Sequence, residues 1–384
     1  QTYLDEKKLP NITSLVSRHG EIAYFDHRGV MDWDSGRPVA ADTIYRFYSM
    51  TKPVTAVAAM MMFEEGKLRL EHELSRYIPE FANVKVWDGG TAEAPALKDP
   101  DREITILDLF THTSGVTYAF LFQHPVDQIY RNAAVGLPFE TLEQQAQRIA
   151  TLPLVFSPGA GWNYGHSTDL LARVVEIVSG QTLDAFFKQR IFEPLGMVDT
   201  DFWVPEDKLD RLAACYQRNP QTGEITMADG AGAATLGLKQ RPMLLNGGGG
   251  LVSTVPDYLK FCLMIAHGGE LNGHRFLSPK TIEFMTRNHL PGGQTLKEMG
   301  DKTFSEARLE GNGFGLGWSV LQDSIAAMAP GSEGTFSWGG LANTFFWIDP
   351  EEELICIQAT QMIPTGAYPI RPQFQQLVYA ALET

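Results

Sequence analysis

Strand-forming patterns occur at the two ends of this 384-residue chain and helix-forming patterns fill the stretch between them, a distribution that leaves few folds open. A sheet whose strands come from both termini must close over the middle of the chain, so the helical part becomes an insertion into it. Near the start, residues 12–17 and 22–25 read as paired strands around the polar corner Arg18-His19-Gly20-Glu21, where Gly20 can supply a positive φ. Near the end, residues 335–338, 344–348 and 354–360 read as consecutive strands with short Gly or Asp-Pro-Glu corners, and 373–382 as a closing helix.

The middle reads differently. Across residues 50–65, Val54, Val57, Ala58, Met61 and Met62 recur at helical spacing, with Pro53 in the tolerated first turn and Gly66 as a terminator. Apolar residues surround this helix, which predicts burial on every side. Two more helices are predicted over 170–178, between candidate N-caps Ser167, Thr168 and Asp169 and a final Gly180, and over 183–192, started by Thr182 and stopped by Pro194. Another is expected over 256–266, capped by Thr254 and ended by Gly268-Gly269. Residues 88–103 and 217–250 are rich in Gly, Ala and polar residues and read as loops. The expected fold is α+β. An antiparallel sheet flanked by helices is built from residues 1–48 and 240–384, and a mainly helical domain of residues 49–239 is inserted.

Charge narrows the partners. With 31 Lys+Arg against 46 Asp+Glu the formal net charge is −15, the wrong sign for neutralising phosphates, so nucleic acid and anionic membrane are poor partners. The longest apolar run, residues 54–63, is too short to span a bilayer. Cys215, Cys262 and Cys356 stand singly, without C-x-x-C spacing or a matching His pair, which predicts no disulfide framework and no metal site, and fits a reducing, cytoplasmic setting. The chain opens at Gln1 without Met, which leaves an export signal removed earlier open.

The stretch carrying chemistry is Phe47-Tyr48-Ser49-Met50-Thr51-Lys52-Pro53. No other serine is followed three positions later by lysine, and on a helical first turn that spacing brings hydroxyl and ammonium to one face. Serine alone is a weak nucleophile, but a lysine desolvated in a buried helix gives up its proton readily enough to serve as a base or to depress a second one. The helix N-terminus adds positive potential where an oxyanion would form. Competing motifs fail. Residues 246–250 lack the G-K-[ST] ending of a phosphate loop, Gly313-Phe314-Gly315-Leu316-Gly317 precedes no helix, Pro330-Gly331-Ser332-Glu333-Gly334 misses the first glycine of a nucleophile elbow, and no H-E-x-x-H occurs.

The run Tyr45 to Pro53, followed by Glu64-Glu65-Gly66-Lys67-Leu68, resembles the serine β-lactamase and penicillin-binding-protein superfamily, and more narrowly the class C β-lactamase-like family VIII carboxylesterases. Thr111-His112-Thr113-Ser114-Gly115, Phe156-Ser157-Pro158-Gly159 before Trp162-Asn163-Tyr164, Glu193-Pro194-Leu195-Gly196-Met197, residues 247–254 and Trp338-Gly339-Gly340 resemble the same family in the expected order. The resemblance implies a β-lactamase/transpeptidase-like fold, no cofactor and a small-molecule ester substrate. Its second catalytic element is a tyrosine before a helix. Tyr130-Arg131-Asn132 matches the literal Y-x-N pattern without family-like flanks, whereas Tyr164-Gly165-His166-Ser167 has the flanks but carries His166 in place of Asn, so Tyr164 is the choice. His166 can bind substrate or simply order the Tyr164 turn.

The third element is normally K-[ST]-G on a strand, and here it is Trp338-Gly339-Gly340. The lysine that anchors a β-lactam carboxylate is replaced by an apolar ring, which favours a neutral ester. Trp338, Gly339, Gly340 and His166 are the expected substrate contacts, and the N–H groups of Ser49 and Leu341 the implied oxyanion hole. Either Lys52, or Tyr164 kept near ionisation by the Lys52 charge, takes the Ser49 proton, an acyl-enzyme forms, and water or another alcohol resolves it. The alternatives are a β-lactamase or D-amino-acid peptidase, and a non-catalytic scaffold. His112 invites a Ser–His pairing, although a structural histidine is the commoner outcome. The aromatic stretch 116–142, with Tyr118, Phe120, Phe122, Tyr130 and Phe139, can wall an ester pocket or act as a lid.

Overall fold

The structure, a computed structural model, describes residues 1–228, 238–300 and 304–383. Strand β1 (Asn11–Arg18) turns into β2 (Glu21–Gly29) through His19 at φ 52° and Gly20 at φ 79°, the left-handed pair that a two-residue hairpin requires. Helices α1 (Thr51–Glu64), α2 (Ser167–Ser179) and α3 (Val255–Ala266) follow. The chain then forms β3 (Asn312–Phe314), β4 (Ser319–Leu321), β5 (Phe336–Gly340), β6 (Thr344–Asp349) and β7 (Leu354–Ala359), and ends in α4 (Ile370–Ala380). These strands make one antiparallel sheet in the order β3-β4-β5-β6-β7-β1-β2, so the N-terminal hairpin docks on the last strand of the C-terminal meander.

Alternation along the strands gives the sheet two buried faces. Trp338, Phe346, Ile357 and Leu15 lie in register across β5, β6, β7 and β1 and join the main core, which also holds α1 and α3. Trp347, Cys356 and Val16, one residue out of step, pack on the other side against Phe374, Val378 and Tyr379 of α4. Helix α1 is buried at every position from Thr51 to Met62, as its all-round apolar sequence predicts.

Local expectations fail where tertiary partners win. Ser167, Thr168 and Asp169 do not cap α2; they form its buried first turn, and His166 occupies the N-cap without a side-chain bond to a backbone N–H of the helix. Their polar atoms are used across the fold, Ser167 Oγ lying 2.9 Å from Ser114 Oγ and Asp169 bonding residues described below. Pro194 does not stop its helix. Leu183–Phe187 continues through a wide π turn at Lys188–Phe192 into Glu193–Leu195, so Pro194, which has no N–H to donate, is accommodated directly after the widened turn, and Gly196 at φ 67° ends the run. The predicted loop 88–103 contains most of a hairpin, Val86–Gly90 paired with Pro95–Lys98, and the predicted loop 217–250 includes Ile225–Met227 paired with Tyr216–Arg218. Residues 229–237 of that loop lie outside the described residues. Strands β3 and β4, three residues each, are too short for alternation to reveal them.

Candidate active site

Ser49 lies in a single 3₁₀ turn, Tyr48–Met50, at the mouth of α1. The turn is pinned on all sides: the Phe47 N–H donates to the Leu251 carbonyl (3.0 Å), Thr51 Oγ1 to the Tyr48 carbonyl (2.7 Å), and the Tyr258 hydroxyl to the Met50 carbonyl (2.9 Å). Tyr48 takes φ 45°, a left-handed conformation that costs a non-glycine residue about 1–2 kcal/mol and persists because these bonds over-determine it. Ser49 itself is half-buried, open to a ligand while its neighbours Phe47 and Met50 are not.

Lys52, in the first turn of the helix, is buried with its Nζ 3.2 Å from Ser49 Oγ, 3.1 Å from the Tyr118 hydroxyl and 2.6 Å from the Gly248 carbonyl oxygen. Burial pushes its ammonium down to about 7, although the charges of Asp169 and Glu306 pull the other way. A lysine so placed is neutral in a substantial fraction of molecules at neutral pH, with a lone pair beside the serine hydroxyl.

Tyr164 meets Ser49 from the other side, its hydroxyl 2.6 Å from Ser49 Oγ and its ring 4.5 Å from Lys52 Nζ. Burial pushes this phenol well above its ordinary value, Glu306 pushes it further, and the Ser49 hydrogen bond only opposes the trend. The expectation that Tyr164 stays near ionisation is therefore corrected: it is a neutral donor at rest, and desolvation outweighs the neighbouring lysine. The α2 N-terminus that follows holds the rest of the cluster. Asp169 accepts the Gly248 N–H (2.9 Å), and its other oxygen lies 2.8 Å from His166 Nδ1, so one buried carboxylate holds Gly248 on its N–H side while Lys52 bonds the carbonyl of the same residue.

The strand side is built of backbone and rings. Gly339 and Gly340 end β5 where a Cβ cannot fit: at Gly340 it would collide with the Phe47 carbonyl, and at Gly339 with the Arg371 guanidinium. Thr344 Oγ1 also donates to the Phe47 carbonyl (3.1 Å), tying the strand pair to the residue two before Ser49. Trp338 is fully buried, its ring 5.6 Å from Tyr164 and 5.3 Å from Phe314. Among the described residues its indole N–H has no hydrogen-bond partner of good geometry, and its influence falls on the Tyr164 hydroxyl.

Ser49, Lys52 and Tyr164 are thus brought together, with the Trp338-Gly339-Gly340 strand end beside them. His166 bonds Asp169 and packs edge-on against Tyr118 (4.4 Å), the arrangement of a residue that orders the Tyr164 turn. His112 does not reach Ser49; it ends a helix at φ 57° and wedges its ring against Trp162, Tyr164 and Phe314. Tyr130 is buried with its ring 6.5 Å from that of His166. The aromatic stretch splits: Tyr118 enters the cluster and stacks on Phe120, while Phe120, Phe122 and Phe139 are exposed. Sequence reading missed four participants. Tyr118 was visible only as a wall residue, Asp169 only as a cap and Gly248 only as part of the family-like stretch 247–254, and nothing in its spacing marks Glu306. Among the described residues no group of His, Cys, Asp or Glu is placed to hold a metal ion, and no helix is long and apolar enough to cross a membrane.

A seam between a sheet and buried helices, holding serine, lysine and tyrosine within hydrogen-bond reach, defines a class of serine hydrolases. A sequence model of the beta-lactamase family matches residues 1–376, and the chain belongs to that family. Esterase EstB of Burkholderia gladioli is 31% identical over 393 residues, covering 98% of this chain and 92% of that protein. Lovastatin esterase of Penicillium rubens is 32% identical over 383 residues, covering 94% and 91%. Among solved structures, EstCE1, described as a hydrolase with promiscuous acyltransferase activity, superposes with a TM-score of 0.82 at 27% identity, covering 99% of this chain and 96% of that one.

Proposed function

We propose that this protein is a carboxylic ester hydrolase that acylates Ser49 with small to medium esters and passes the acyl group to water or to another alcohol. The carrying observation is that Ser49 Oγ stands 3.2 Å from a buried Lys52 amine and 2.6 Å from the Tyr164 hydroxyl. Neutral Lys52 takes the proton of Ser49 as its oxygen bonds to the ester carbonyl carbon, and the N–H groups of Ser49 and Leu341 hold the oxyanion. The ester C–O bond then breaks, and the leaving alkoxide takes its proton from the Tyr164 hydroxyl, which is replenished by Lys52. Water reverses the sequence: Lys52 accepts its proton, the hydroxide oxygen attacks the acyl carbon, and Ser49 leaves reprotonated.

Similarity to two esterases and to a hydrolase with acyltransferase activity supports ester chemistry. A β-lactamase or D-amino-acid peptidase is the weaker reading, since Trp338 offers a substrate carboxylate no charge and Arg371 nearby is already paired with Glu306. The same reading divides the chain into a sheet domain of residues 1–48 and 240–384 and a helical domain of residues 49–239, and places it in a reducing, cytoplasmic setting, which three buried free thiols support. The test is Ser49→Ala on p-nitrophenyl esters graded by acyl length. Loss of turnover with the fold intact is expected; retained turnover sinks the proposal.

A further inference from the structure

The oxyanion donor proposed on the strand side is one half of a peptide group, and the other half is held by charge. In a trans peptide the C=O and N–H point in opposite directions, so whatever fixes the Gly340 carbonyl fixes the Leu341 N–H as well. That carbonyl accepts from Arg371 Nη2 (2.8 Å) and from the Asn343 N–H (2.9 Å), and Thr365 Oγ1 lies 3.2 Å from it. The same Nη2 also bonds the Thr344 carbonyl (2.8 Å) on the adjoining strand. Arg371 in turn is locked: its Nη1 donates to the backbone carbonyl of Glu306 (2.9 Å) and to Glu306 Oε2 (3.0 Å), and that carboxylate oxygen also stands 3.1 Å from Thr365 Oγ1.

Glu306 and Arg371 are both buried, an arrangement whose desolvation is costly and which gains little stability over an apolar pair. Its geometry explains it better as orientation. A guanidinium on the carbonyl end polarises the peptide and strengthens the N–H at the far end, an effect that a neutral donor reproduces only weakly. Gly339 fits the same account, because any side chain there would displace the guanidinium.

We propose that Arg371, braced by Glu306 and Thr365, is a positioning group that orients and polarises the Gly340–Leu341 peptide so that its N–H stabilises the oxyanion formed at Ser49. This rests on the ester-hydrolase reading above. Arg371 touches no substrate in this account and acts through the peptide alone, so it affects the transition state and not ground-state binding.

The experiment measures single-turnover acylation by p-nitrophenyl acetate, KM, and inhibition by a phosphonate transition-state mimic in Arg371→Lys and Thr365→Val, with thermal melting to establish folding. In Arg371→Lys we expect acylation to slow by about tenfold or more, a fraction of the loss seen when an oxyanion donor is deleted outright. KM should stay within about twofold, and phosphonate affinity should fall in parallel with the rate. Thr365→Val should show a smaller loss of the same kind. A folded variant that acylates at the wild-type rate, or whose loss lies in KM, overturns the proposal. If Arg371→Lys does not fold, Thr365→Val decides by the same criteria. Failure here leaves turnover dependent on Ser49, whereas failure of the ester reading would appear as turnover surviving Ser49→Ala.

Discussion

The two walls that meet at Ser49 solve different problems. The helical wall gathers polar side chains, Lys52, Tyr118, Tyr164, Asp169 and His166, in a buried volume where each hydroxyl, amine or carboxylate finds a partner. The sheet wall presents the fully buried Trp338 ring, two glycines and a backbone edge, with Glu306 and Arg371 paired behind it. Low dielectric acts on them differently. On the helical side it tunes protonation, lowering Lys52 and raising Tyr164 towards the states that proton transfer needs. On the sheet side it strengthens fixed dipoles without any proton moving.

That contrast can be broken experimentally. Ser49→Ala should remove ester turnover by at least about 10⁴-fold, the scale of losing a covalent nucleophile, with the melting temperature nearly unchanged. Tyr164→Phe keeps the ring and deletes the hydroxyl, so acylation should fall by about 10²–10⁴-fold while KM holds; a loss below tenfold would move the proton path away from Tyr164. Trp338→Ala tests the sheet wall as packing, and denaturant unfolding should register a loss of about 3–5 kcal/mol, the range for emptying a buried aromatic site. A stability close to wild type would make Trp338 a replaceable lining.

The mildest test is pH. If neutral Lys52 is the base, kcat/KM should fall by about tenfold per unit on the acid side of a midpoint near 7, because the ammonium form, favoured as pH drops, has no lone pair to accept the serine proton. Above that midpoint the rate should level off. A midpoint near the ordinary lysine value would mean that water reaches the amine and that the two walls are less different than their burial implies.

Much of this was legible beforehand because it is written in local spacing. The Ser49 and Lys52 pair is an i, i+3 relation on one turn, the burial of α1 follows from apolar residues on all its faces, and the hairpin at His19-Gly20 follows from its turn chemistry. Tyr164 was preferred to Tyr130 on its flanking sequence, and it is Tyr164 that meets Ser49. What went unread depends on contacts between distant segments. The polar residues after His166 have the composition of helix caps, yet Asp169 is drawn inward by Gly248, 79 positions away. Arg371 and Glu306 are 65 apart with no periodicity linking them.

By itself, then, the sequence determined the pairing of Ser49 with its neighbouring lysine, the helical core and the sheet drawn from both ends, since each depends on residue type at fixed short spacing. Only the tertiary structure decided that Lys52 is dry enough to lose its proton near neutrality while the same dryness keeps Tyr164 protonated, that His166 serves Asp169, and that an arginine in the last helix grips the strand beside Ser49. Protonation and orientation are set by what surrounds a group in space, and that information is absent until the chain has folded.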